Sequence, residues 1–168
     1  TAPPFNKLWL SGGEPTLRED LGEIIGLFAR NNGIRNVNLP TNGLMPDKLF
    51  GILDDTLART SEHVAIDLNF SLDGLANTHD AIRGVPNNFQ RTLATMRETE
   101  ARYGHVRRLR RNVLSVITRE NYGELVELGL RLAEQGGIDG HYFEVVRGAT
   151  PDPGVKAMTR DEVAEIHR

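Results

Sequence analysis

The sequence predicts an α/β protein built on a mainly parallel sheet, and three observations carry that expectation. Short apolar runs alternate with longer stretches of helical spacing, the pattern of successive βα units. The early runs end in turn-forming loops around Gly12-Gly13, Asn42-Gly43 and Asp73-Gly74. The chain has 168 residues, 39% of them apolar, which suits one domain with a real core.

The elements follow in order. Lys7–Ser11 reads as the first strand. Thr16-Leu-Arg-Glu19 fits a capping box and opens a helix over Leu17–Asn32. Leu21, Ile24, Ile25 and Phe28 share one face of it, and Asn31-Asn32-Gly33 stops it. Ile34–Leu39 is the second strand and Asp47–Arg59 the second helix. Strand Val64–Leu72 precedes helix Asn88–Tyr103, and strand Asn112–Thr118 precedes helix Tyr122–Gln135, which ends at Gly136-Gly137. Gly140–Val146 is the last strand and Arg160–His167 the last helix. Five βα units are too few for an eight-stranded barrel, leaving an open doubly wound sheet or part of a barrel.

Composition excludes several function classes. There are 20 Lys+Arg against 23 Asp+Glu, a net charge of −3, which offers nothing to attract nucleic acid or anionic lipid. The cluster Arg107, Arg108, Arg110 and Arg111 reads as a solvated helix-to-strand junction without a stacking platform. No apolar run approaches the ~20 residues needed to span a bilayer. There is no Cys, hence no disulfide and no thiolate metal site within these residues. The five histidines lack a zinc spacing, and neither a phosphate-binding Gly loop nor a Gly-x-Ser-x-Gly elbow occurs. Trp9 reads as core. The expected setting is cytoplasmic, with no membrane and no nucleic acid as partner. A start at Thr1 rather than Met suggests a piece of something longer.

The segment Ile66–Asp73 is the most informative strand. Ile66, Leu68, Phe70 and Leu72 face one way; Asp67, Asn69, Ser71 and Asp73 face the other. A strand covered on both faces should be almost continuously apolar. This one is either a wet edge strand or the wall of a polar cavity. Asn36, Asn38 and Glu144 alternate with apolar neighbours on other strands and favour the cavity. Such groups need partners when buried.

Ligands of α/β proteins sit at the carboxyl ends of the strands. Three loops there carry specific chemistry. Ser11-Gly12-Gly13-Glu14-Pro15 offers bare backbone and a carboxylate, which suit an ammonium better than a phosphate. Pro40-Thr41-Asn42-Gly43 and Ser71-Leu72-Asp73-Gly74 follow. Singly each is ordinary turn chemistry; their succession is far more specific.

That succession resembles the radical S-adenosylmethionine (radical SAM) superfamily. Gly12-Gly13-Glu14-Pro15 is its most diagnostic part, and Thr78-His79-Asp80-Ala81-Ile82-Arg83-Gly84 looks like a loop of its peptide- and sulfatase-maturing members. The resemblance implies a partial (β/α)6 TIM-like barrel, with residues 1–168 an incomplete core domain of second to sixth βα units and the first strand and helix missing. It implies S-adenosylmethionine as cofactor. Gly12, Gly13 and Glu14 would meet its ammonium, with Pro15 fixing the turn. Thr41 and Asn42 would lie between cofactor and substrate. Ser71 would bond the cofactor while Asp73 shapes the loop, and Arg83 would face the methionyl carboxylate or brace a loop. Thr118, Asn121 and Val146 would border the adenine. Asp67, Asn69 and Glu144 would point towards substrate or pair among themselves.

The family also needs a [4Fe-4S] cluster held by three cysteines, and none is present. Those ligands are expected upstream of Thr1, and these residues alone are expected to be inactive. Taken with an upstream segment, the expectation is an enzyme that generates a 5′-deoxyadenosyl radical for hydrogen abstraction. It would need an electron donor and a small-molecule or peptide substrate, the His79-Asp80 loop leaning towards peptide. The alternative is a non-catalytic scaffold that keeps the cofactor fold. A chance match of an ordinary α/β domain would leave the three loops apart in space.

Overall fold

The computed structural model describes residues 4–146 and 153–156. Five strands form one parallel sheet in the order β1-β2-β3-β4-β5. They are β1 (Lys7–Trp9), β2 (Asn36–Thr41), β3 (Ala65–Ser71), β4 (Leu109–Ile117) and β5 (Gly140–Val145). The helices are α1 (Leu21–Asn32), α2 (Pro46–Arg59), α3 (Ala76–Arg83), α4 (Asn88–Tyr103) and α5 (Leu125–Gln135). The sheet curls into a half-barrel, the partial TIM-like form.

Strand alternation divides the two faces. Val37, Leu39, Ile66, Leu68, Phe70 and Val113 are fully buried and join Ile25 of α1, Leu53 of α2, Met96 of α4 and Leu128 of α5 in one core. Each such side chain contributes about 1.5–3 kcal/mol through burial. The opposite face is polar. Parallel register places Trp9, Asn38, Asp67 and Arg110 in one row across four strands, and Asn69 beside Asn112 in the row above. β3 is the central strand, so its polar face is a cavity wall and not an edge.

Departures from the expected elements have local causes. The capping box does not form: Thr16 donates its hydroxyl to Glu14 at 2.6 Å instead of capping a helix. Pro15–Leu17 make a single 3-10 turn, Arg18 is extended, and α1 begins only at Leu21. α3 replaces an expected loop. Its amino end is held by Glu124, which accepts from the Leu75 N–H and the Thr78 hydroxyl, a partner invisible to local sequence. β4 starts at Leu109, three residues early, because its arginines find acids: Arg110 meets Asp67, and Arg111 meets Glu100 and Asp139. The junction is therefore not simply solvated; the Arg108 and Arg111 side chains are 8% and 12% exposed. Trp9 is not core either, being 64% exposed on the polar face of edge strand β1. The expected helix Arg160–His167 lies outside the described residues.

Candidate functional site: a loop rim above a polar lumen

Because all five strands are parallel neighbours, their carboxyl ends form one rim. Gly13, Thr41 and Ser71 lie on it, on adjacent strands or just past their ends.

The first loop is open. Gly12 and Gly13 are exposed, and a Cβ built on either meets nothing within 4 Å. Gly12 has φ +121°, a conformation that favours glycine. The Glu14 carboxylate is turned inward. One oxygen accepts from the Thr16 N–H and hydroxyl, and the other accepts from the Asn42 N–H at 2.6 Å. Pro15 starts the short turn behind it.

The second loop is held from below. Thr41 is buried, and its hydroxyl accepts from the Gly43 N–H. The Asn42 side-chain oxygen accepts from Leu44 N–H, while its backbone carbonyl accepts from Thr92. Thr95 donates to the Gly43 carbonyl at 2.7 Å. Sequence reasoning missed Thr92 and Thr95. The signal was three threonines, 92, 95 and 99, on the inward face of an amphipathic helix.

The third and fourth loops are locked together. Asp73, 3% exposed, accepts from the Val116 N–H at 2.8 Å and pairs with Arg83 at 2.6 Å. Arg83 thus braces a loop. The His79 Nδ1 accepts from the Asp73 N–H, and burial pushes that imidazole below its ordinary range. Asn121, fully buried, donates to the carbonyls of Asp73 and Val116 and accepts from the Thr118 N–H. Thr118 is buried too and accepts from the Glu120 N–H. Thr41, Asp73, Arg83, Thr118 and Asn121 therefore stand behind the rim. Gly12, Gly13, Asn42, Ser71 and Val146 remain at its surface; Ser71 is half-buried and its hydroxyl has no hydrogen-bond partner among the described residues.

Below the rim lies a cavity of about 340 Å³ lined by Trp9, Asn38, Asn69, Arg110, Tyr142 and Glu144, with Asp67 and Asn112 among its walls. Asp67 accepts from the Asn36 amide at 2.7 Å and pairs with the Arg110 Nε at 2.5 Å. Asn112 donates to Asn69, which donates to the Asp67 carbonyl. Asp67 and Asn69 thus sit in a shared network, whereas Glu144 has no hydrogen-bond or ionic partner among the described residues. Polar groups from four strands face one space, an arrangement able to orient a polar substrate against whatever the rim holds.

Comparison with known proteins agrees with this geometry. The family model described as "Radical SAM superfamily" matches residues 2–132. The pre-heme d1 synthase of Dinoroseobacter shibae is 34% identical over 137 residues, covering 81% of this chain and 30% of that protein. The AdoMet-dependent heme synthase of Methanosarcina barkeri is 29% identical over 166 residues, covering 95% of this chain and 42% of that protein. The chain thus spans less than half the length of these curated relatives. Among solved structures, Streptococcus suis SuiB superposes with a TM-score of 0.65 at 17% identity, covering 96% of this chain and 34% of SuiB, a likeness of fold. With matched motifs, matched fold and a family model spanning most of its length, the chain belongs to the radical SAM superfamily.

Proposed function

We propose that this chain is the cofactor- and substrate-holding part of a radical SAM enzyme. The convergence of the Gly12-Gly13 loop, Asn42 and Ser71 on one rim above a polar lumen carries this reading.

The residues present fit S-adenosylmethionine. Open space at Gly12 and Gly13 lets a ligand reach bare backbone, whose carbonyls suit an ammonium. Ser71 offers a hydroxyl at the next loop but one, and Val146 an apolar edge. Glu14, Asp73 and Asn121 hold these loops in place. When bound, the cofactor supplies a 5′-deoxyadenosyl radical for hydrogen abstraction. The residues present do not fit a [4Fe-4S] cluster: the chain has no cysteine, and the described residues contain no group of His, Cys, Asp and Glu able to hold a metal. Its ligands belong to another part of the full-length protein, as does access to an electron donor, and this chain alone is inactive.

The lumen takes the substrate. Its role is to present polar hydrogen-bonding groups and exclude water from the reacting atoms. A small molecule is favoured over a peptide. Relatives that match most of the chain are named for heme synthesis or, in one case, for molybdenum cofactor biosynthesis. The Thr78–Gly84 segment that suggested a peptide is instead consumed in bracing: Asp80 accepts from the Phe89 N–H, and His79 and Arg83 both hold Asp73. No described helix is long and apolar enough to cross a membrane, and a cytoplasmic setting is part of the same reading.

The test is reconstitution of the full-length protein with iron, sulfide and reductant, followed by assay for 5′-deoxyadenosine. Product should form, and Gly13→Val or Ser71→Ala should lower both its yield and the affinity for S-adenosylmethionine. Fully reconstituted protein that neither binds nor cleaves the cofactor would overturn the proposal.

A further inference from the structure

We propose that a cleft at the opposite, amino-terminal end of the strands is a second ligand site, shaped for a small molecule bearing a phosphoryl group. It lies where α1 and α2 end and β2 and β3 begin, an open concavity of about 400 Å³ whose polar lining residues are all solvent-exposed. Arg30, Arg35, Arg59, Ser61 and His63 provide its polar lining, and Ala29, Ile34 and Val64 its apolar part. The site is independent of the cofactor rim, which sits at the carboxyl ends of the same strands.

The positive charge there is not explained by the fold. Gly26 of α1 brings two arginines together: a Cβ on it would lie 3.3 Å from both the Arg30 Nη1 and the Arg59 Cδ. Arg59 has one carboxylate partner, Asp55 at 2.6 Å, with Glu23 further away. The side chains of Arg30 and Arg35 have no hydrogen-bond or ionic partner among the described residues. Glu62, the other nearby acid, is turned to Arg108 at 3.4 Å. Two guanidiniums are thus left over beside one cavity in a chain whose net charge is −3.

Helix-end chemistry accounts for Arg30 at most, which sits in the last turn of α1, and not for Arg59 or Arg35. Arginines in a last turn commonly serve the helix carbonyls and dipole. At the end of α2 that task falls to Arg108, whose guanidinium donates to the carbonyls of Leu57, Thr60, Ser61 and Val64. Arg59 is free of it. Arg35 follows the left-handed Gly33 and belongs to neither helix.

A phosphoryl dianion matches this excess. Guanidinium forks bind its oxygens bidentately, and the Ser61 hydroxyl and His63 ring add single donors. The apolar wall leaves room for an attached organic group. A flat macromolecular contact fits poorly, because the charges line a concavity.

Isothermal titration of pyrophosphate into the full-length protein at low ionic strength tests the site. We expect a saturable event whose Kd rises at least about tenfold in Arg30→Gln/Arg35→Gln. Arg35→Gln alone, which removes a side chain with no partner and keeps the backbone bonds to Asn6 and Ala65, should weaken binding while leaving the thermal midpoint in place. Arg131→Gln, exposed on α5 and outside the cleft lining, should leave Kd unchanged. Saturating S-adenosylmethionine should not compete. Absence of saturable binding, undiminished binding in the double variant, or competition by S-adenosylmethionine would overturn the proposal. Equal binding of citrate would overturn the phosphoryl assignment.

Discussion

The Glu14 carboxylate accepts the backbone N–H of Asn42 at 2.6 Å, joining two rim loops across 28 residues of chain. The same carboxylate also receives the Thr16 N–H and hydroxyl. A side chain whose position invites a cofactor contact therefore acts through its neighbours. Glu14→Ala should leave two part-buried N–H groups and the Thr16 hydroxyl without their acceptor and cost about 1–3 kcal/mol. The loss should fall on the loops first. S-adenosylmethionine affinity of the full-length protein should drop more steeply than its thermal midpoint, and Glu14→Gln should recover part of it. Equal loss in both readouts would assign Glu14 to general stability alone.

Asp73 is the buried anion of the rim, tied to Arg83 and to the Val116 N–H. Asp73→Asn leaves the part-buried Arg83 charge without its partner and should cost about 2–4 kcal/mol, below a fully buried pair because Arg83 keeps some water contact. Asp73→Asn combined with Arg83→Met should cost less than the sum of the single changes. Urea unfolding of the four species closes the cycle. Strict additivity would show that the two charges do not depend on each other.

Much of this was legible in sequence, for physical reasons. The period-2 alternation over Ile66–Asp73 offered either a wet edge or a cavity wall, because alternate residues in a strand face the same side; Asp67 and Asn69 line the cavity, whereas Asp73 lies past β3 and turns to Arg83 and Val116. Rim convergence was expected from the motif succession, while the residues alone left an open sheet or part of a barrel and only the family resemblance implied the barrel's sequential strand order. The side-chain roles did not follow from the sequence. Glu14, Arg83 and Asn121 carry the chemistry a ligand would want, and the fold spends that chemistry on itself. Their partners lie 28, 10 and 48 residues away, where no local pattern points. Trp9 was misjudged for a related reason: its burial depends on strands beyond β1, and an aromatic on an edge strand reads the same wet or dry.

Arg108 lies just before β4 yet closes the end of α2. Its guanidinium reaches the carbonyls of Leu57 and Thr60 and the Thr60 hydroxyl, with its side chain only 8% exposed. These are orphan acceptors of a helix terminus, which a planar fork satisfies together. Arg108→Ala should destabilise by about 2–3 kcal/mol, the cost of several charge-assisted hydrogen bonds partly replaced by water. Arg108→Lys should recover less than half, since one ammonium cannot reach both sets of carbonyls. Hydrogen exchange should quicken at the last turn of α2 before anywhere else; unchanged protection there would remove Arg108 from this role.

His141 gives the fold a pH dependence. Its Nε2 meets the Ser115 hydroxyl at 2.8 Å, and Ser115 in turn donates to the Leu72 carbonyl. Nδ1 is buried without a partner, against α5 near Gly129. Burial lowers the imidazole from its ordinary 6.5 to about 4. Above pH 6.5 the ring is neutral in folded and unfolded chains alike, and its contribution is complete. Between 6.5 and about 4 the unfolded chain binds a proton that the folded chain refuses, so stability falls as pH drops. His79, also pushed down by burial, acts in the same direction. His141→Gln keeps a partner for Ser115 but cannot titrate. Its stability should therefore fall less between pH 7 and pH 4.5 than that of the parent, with the difference seen as slower hydrogen exchange in β4 and β5 at the acid end. A parent and variant with the same pH slope would mean that His141 is protonated in the fold, and that the unpartnered Nδ1 does not govern its charge.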